Sequence, residues 1–159
     1  SPGHWSVYES AVRAIVGQQV STAAARTVLS RLAHACNDPE QGRVPFPTAA
    51  QIATLADEHF PMPGRRRDTL REVCRHYSDN EGSLTAEALA AFRGIGPWTV
   101  AMVAIRGAGN PDVFPEGDLG LQRAWQALGE DQKTLGKAAL QWRPWRAYAA
   151  NLLWRSLAE

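Results

Sequence analysis

The chain has 159 residues, 45% of them hydrophobic and 21% charged, which is one domain's worth of polypeptide and excludes two full domains, a disordered chain and a collagenous one. Seventeen basic against sixteen acidic residues give a net charge of +1, so a nucleic-acid function cannot rest on bulk positive charge and needs local features. Uncharged apolar runs such as Trp98 to Ile105 fall far short of the ~20 residues of a spanning helix, and the first residues show no signal-peptide pattern, so an intracellular protein with no membrane contact is expected.

Val7, Ala11, Val12, Ile15 and Val16 recur at helical spacing and predict a first helix, interrupted at Gly17-Gln18-Gln19. Ser21 offers an N-cap for a second helix carrying Ala24, Ala25, Val28, Leu29 and Leu32 on one face. Residues 37 to 47 form a loop, with Asn37, Pro39, Gly42, Pro45 and Pro47, and Thr48 then caps a short helix bearing Ile52 and Leu55. After a second loop at Pro61-Met62-Pro63-Gly64, Leu70, Val73, Cys74 and Tyr77 trace another helix, which Gly82 closes. Thr85 opens the next, running towards Phe92. Arg65, Arg66, Arg67, Arg71 and Arg75 face only Asp68 and Glu72, a run whose ordinary reading is a solvated helix face and whose alternative is a nucleic-acid patch. Cys36 and Cys74 fit neither a disulfide framework nor a four-ligand zinc or iron-sulfur site and are read as buried free thiols. His4, His34, His59 and His76 show no metal spacing.

Phe92-Arg93-Gly94-Ile95-Gly96-Pro97-Trp98-Thr99 reads as helix, hairpin, helix, with Pro97 at the first helical position, where its missing donor costs nothing. A glycine-rich turn that aims unpaired N–H groups at one point, at the positive end of a helix, is a phosphate site needing little net charge; a tight interhelical turn without a ligand is the plainer alternative. The helix from Pro97 to Arg106 is apolar around most of its circumference and therefore central, and Gly107 ends it. Asp118 heads a helix carrying Leu119, Leu121, Trp125 and Leu128. The last helix is predicted to start with Pro144 and to run to about Ala158. Trp145, Tyr148, Ala149 and Leu152 form its core face, leaving Trp154, about 180° from Trp145, free for a cleft. The fold class is all-α.

Gly94-Ile95-Gly96 before a helix, followed by an Asp that opens another, resembles the helix-hairpin-helix DNA glycosylase superfamily. Four blocks in order are similar to the 3-methyladenine DNA glycosylase II family: Val12 to Ser21, Gly94 to Thr99, Asp112 to Leu119 and Trp142 to Tyr148. The resemblance implies one domain of two helical lobes, about residues 5–110 and 111–159, with the active-site cleft between them. The family's N-terminal β-rich domain has no counterpart, so the chain is a short member or a fragment.

The resemblance also implies roles. Asp118, whose plain role is an N-cap, becomes the carboxylate that stabilises an oxocarbenium-like sugar, and the helix dipole favours its anionic form. Trp98, Met102 and Trp154 match the base pocket, where electron-rich rings stack on cationic alkylated purines; core packing is the alternative for each. Related enzymes that also nick the strand carry a Lys where Trp98 stands, so a monofunctional enzyme using water is expected. Gln18 and Gln19 match the residues that fill the gap left by a flipped nucleotide, although two loop glutamines are ordinary. Arg93, Gly94, Ile95, Gly96 and Thr99 match the phosphate-binding hairpin. Its carbonyls at Ala90, Phe92 and Gly94 match a structural sodium or potassium site, and no other cofactor is implied.

The implied partner is double-stranded DNA with alkylated bases, bound by a monomer located in the bacterial cytoplasm or, in a eukaryote, the nucleus. A non-catalytic helix-hairpin-helix module for damaged or bent DNA is the first alternative, and a helical protein-interaction domain the second.

Overall fold

The computed structural model describes residues 5–37 and 42–158, and the predicted loop residue Pro39 and His4 lie outside them. The described residues form eight α-helices and no strand: α1 Val7–Val16, α2 Thr22–Cys36, α3 Ala49–Thr54, α4 Gly64–Asp79, α5 Pro97–Arg106, α6 Leu119–Ala127, α7 Leu135–Leu140 and α8 Arg146–Ala158. Capping signals set most of the starts. Ser6, Ser21 and Asp118 each accept a backbone N–H from the turn they open, and Thr48 forms a capping box with Gln51. None of these helices is long and apolar enough to cross a membrane.

Buried apolar side chains fall into two clusters. The first joins α1, α3, α4 and α5 through Ala11, Val12, Ile15, Ile52, Leu70, Val73 and Val103, with Leu89 beside them. Each such aliphatic side chain contributes about 1.5–3 kcal/mol by leaving water. Tyr8 closes this cluster, stacking on Tyr77 at 4.7 Å and donating its hydroxyl to Pro47 O at 2.6 Å. Cys74 is buried beside it, its thiol pushed up to about 12 by burial, while Cys36 is half-buried; both are free thiols. The second cluster joins α6, α7 and α8 through Leu121, Ala124, Leu135, Ala139, Ala150 and Leu153.

Several elements differ from the sequence expectations. Of the stripe expected on α2, only Leu32 is buried, and Ala24 is exposed. The helix expected from Thr85 is a 3-10 turn of five residues at Glu87–Ala91, with Thr85 accepting the Ala88 N–H. Leu119 and Leu128 are exposed rather than buried. A 3-10 turn at Gln132–Thr134 and helix α7 were not expected from the periodicity. Pro144 follows a cis peptide and precedes α8, which starts at Arg146.

The largest reversal lies in α8. Trp145, Tyr148 and Leu152 are 58%, 60% and 66% exposed, and the buried face carries Ala147, Ala150 and Leu153. Small residues at i and i+3 let α8 approach α6 closely, which the bulky stripe would prevent.

Candidate active site

Three helices bring one side chain each to a common point. Asp118 is the N-cap of α6, in extended backbone, and its Oδ2 accepts the Leu121 N–H at 2.9 Å. Trp98, the second residue of α5, donates its Nε1–H to Asp118 Oδ1 at 2.9 Å. Trp154, in the third turn of α8, donates its Nε1–H to Asp118 Oδ2 at 2.8 Å. These are charge-assisted lengths, so the carboxylate is fixed between two indoles as well as capping its helix. A carboxylate has about four lone-pair sites; with three occupied, one on Oδ1 remains for a fourth partner.

Asp118, Trp98 and Trp154 are all half-buried. They meet at one half-exposed junction, the Asp118 notch, and none of the three lines the surface depression of about 580 Å³ bordered by Ile95, Val100, Ala104 and Val113 or the smaller one beside Arg75. Met102 lies one turn beyond Trp98 and packs, half-buried, against the first cluster. Trp154 reaches the notch for a reason opposite to the expected one. It follows Ala147 and Ala150 on the inward stripe of α8, and Trp145 is the residue that faces out.

Three supporting contacts carried no signal in the spacing of the sequence. The Arg106 guanidinium lies 5.3 Å from the Trp154 ring and 5.8 Å from Trp5, a cation–π sandwich at the end of α5. Burial lowers its pKa, and the charge of Asp118 opposes that shift. Gly120 allows the close approach on the other side, since a Cβ there would stand 3.0 Å from Asp118 Oδ2 and 3.3 Å from Trp154 Cδ1. Asp112 anchors the start of α8, accepting Arg146 Nε at 2.9 Å and Nη2 at 3.2 Å, while Pro111 O accepts the Ala147 N–H at 2.9 Å.

Arg146 holds the Asp112 carboxyl below its usual range. A carboxylate whose pKa is lowered by folding adds stability above its unfolded pKa and loses it as pH falls through the folded value. Asp112→Asn should therefore lower the melting temperature near pH 7, and the difference should vanish well below about pH 4, as checked by thermal denaturation across pH.

The hairpin is built as expected in its backbone but not in all its side chains. Gly94 has φ 91°, and a Cβ there would collide with Thr69 Oγ1. Arg93, Gly94 and Gly96 are exposed and Ile95 half-buried. Thr99 is 2% exposed, and its hydroxyl accepts Gln18 Nε2 at 3.0 Å, so its side chain braces the hairpin from inside. The Gln18 amide also donates to Gly94 O at 3.2 Å, which turns it inward, towards the hairpin. Gln19 remains outward, at φ 58° and exposed, with the 37% exposed Val20 beside it.

Residues 12–144 match the family model described as HhH-GPD superfamily base excision DNA repair protein. The chain is similar to a probable bifunctional transcriptional activator/DNA repair enzyme of Mycobacterium tuberculosis, 38% identical over 94% of this chain and 33% of that protein. It is 30% identical to DNA-3-methyladenine glycosylase 2 of Escherichia coli, over 96% of this chain and 58% of that protein. It thus spans a third to three fifths of the length of these curated relatives. Its fold is that of a 3-methyladenine DNA glycosylase of Schizosaccharomyces pombe solved with abasic DNA, at a TM-score of 0.83 over 100% of this chain and 86% of that one, with 23% identity. With the family match running through the hairpin and the Asp118 notch, the chain belongs to the HhH-GPD superfamily of base excision DNA repair proteins.

Proposed function

We propose that this chain is a monofunctional DNA glycosylase that hydrolyses the N-glycosidic bond of alkylated purines, of the 3-methyladenine type, in duplex DNA. The observation that carries the reading is the Asp118 carboxylate clasped by the indole N–H groups of Trp98 and Trp154, which fixes a charge with one free lone pair between two aromatic side chains. The name of the E. coli relative supports the substrate class.

In this reading an extruded alkylpurine stacks in the notch with its sugar C1′ towards Asp118 Oδ1. The C1′–N bond breaks, its electron pair leaves with the cationic base and neutralises it, and the carboxylate stabilises the positive charge left on the sugar. Water adds its oxygen to C1′ and releases a proton, with Asp118 orienting the attack. A cationic base is a good leaving group, so no general acid is required. Trp98 has no amine to form a Schiff base, which leaves the strand intact.

Gln19 and Val20 fill the vacated stack, and the exposed hairpin amides hold a phosphate. The Ala90, Phe92 and Gly94 carbonyls would hold a sodium or potassium ion. Phe92 O and Gly94 O each accept one hydrogen bond, from Ile95 N and Gln18 Nε2, and keep a second lone pair. Such an ion would supply positive charge for a phosphate. The two buried clusters serve as lobes dividing near residue 110, the protein works as a monomer, and its place is with the genome, in the bacterial cytoplasm or the eukaryotic nucleus.

Release of 3-methyladenine from methylated duplex DNA, without strand cleavage, tests the proposal. Binding without release would identify a non-catalytic damage-binding module, and absence of both would remove the DNA reading.

A further inference from the structure

The five arginines of α4 are not equivalent. Arg67 and Arg71 share Asp57, at 3.6 Å and 2.7 Å, and Arg67 Nε also reaches Asp68 at 3.1 Å, so these two serve structure. Among the described residues neither Arg65 nor Arg66 pairs with a carboxylate, and Arg66 Nε is buried without a hydrogen-bond partner. Arg65 is exposed. Both occupy the first turn of a helix that has no acidic residue there, where their charge opposes the helix dipole and costs stability.

What gives this arrangement a purpose is its attachment to the hairpin. The Thr69 hydroxyl lies 3.0 Å from Arg65 O and 2.9 Å from Arg93 O, so one buried oxygen joins the start of α4 to the residue that opens the Gly94-Ile95-Gly96 turn. The same Thr69 packs where any side chain at Gly94 would have to go, which fixes the two segments in one register. Arg93 is exposed and likewise unpaired among the described residues. The backbone of Arg65 is thereby held beside that of Arg93 in the hairpin, with Arg66 next in the chain, whereas Arg75 stands ten residues beyond Arg65 along α4, about 15 Å away along its axis.

We infer that Arg65 and Arg66 are DNA-phosphate contacts that extend the grip of the hairpin onto a second segment of the backbone. The inference rests on the DNA reading above and assigns a role to charges that the notch does not use. A planar guanidinium matches phosphate oxygens with paired donors, and local charge of this kind lets a chain of net charge +1 bind a polyanion.

The test is the salt dependence of binding to a duplex containing an abasic site. Each lost phosphate contact lowers the slope of log K against log salt by about 0.9. Arg65→Gln and Arg66→Gln should each lower it by that amount, Arg65→Lys should retain it, and Arg75→Gln should leave it unchanged. Circular dichroism of each variant separates lost contacts from lost folding. Parental slopes in both Gln variants, or an equal fall in Arg75→Gln, would overturn the inference. Salt-insensitive or absent binding by the parental protein would overturn the DNA reading itself.

Discussion

Asp118→Asn should reduce release of alkylated purines by on the order of 10³-fold while the helices stay folded. In the proposed reaction the substitution removes the charge that balances the developing oxocarbenium, and it also disturbs the clasp. Three N–H groups point at the two oxygens, and an asparagine offers one oxygen and one amide nitrogen. If its oxygen keeps Leu121 N and Trp154 Nε1, its NH₂ must face the Trp98 indole N–H, donor against donor. Asparagine is itself a good N-cap, so the start of α6 survives. Single-turnover release measured beside abasic-duplex binding checks both halves: release collapses and binding persists, since the hairpin is untouched. Parental-rate release by the variant would remove Asp118 from the reaction.

Trp154→Phe isolates the indole N–H from the ring. A hydrogen bond to a charged group contributes about 1.5–3 kcal/mol, so kcat should fall roughly 10- to 150-fold while KM changes little, because an aromatic wall remains. Leu121 N still holds Oδ2, which is why the fall is smaller than for Asp118→Asn. Trp98→Phe should act similarly through Oδ1. The double variant should fall short of the product of the two, because both indoles hold one carboxylate. A rise in KM with unchanged kcat would mean that Trp154 binds the base but does not position the acid.

Much of the fold was legible because caps and glycines mark boundaries locally. Ser21, Thr48, Pro97 and Asp118 each open the helix expected of them. Packing direction was less legible. On α8 two apolar stripes compete, and the bulkier one, Trp145, Tyr148 and Leu152, faces outward because Ala147 and Ala150 fit closely against α6. Helix α7 has six residues with Gly136 inside, too short for periodicity to reveal, and it is held by the burial of Leu135 and Ala139.

At the site, the family resemblance pointed to Asp118, Trp98 and Trp154, but nothing in their spacing encoded that both indole N–H groups would converge on one carboxylate across twenty and thirty-six residues. The inward turn of Gln18 was hidden for the same reason. Its partners, Gly94 O and Thr99 Oγ1, are seventy-six and eighty-one residues away.

The carboxylate that caps α6 also fastens the helix carrying Trp98 to the helix carrying Trp154, so the group proposed to react doubles as the rivet between the two apolar clusters. An inhibitor therefore need not reach the acid. A flat molecule that prises the two indoles apart would leave Asp118 chemically intact and aimed at nothing, and resistance by widening the notch would disarm the same group.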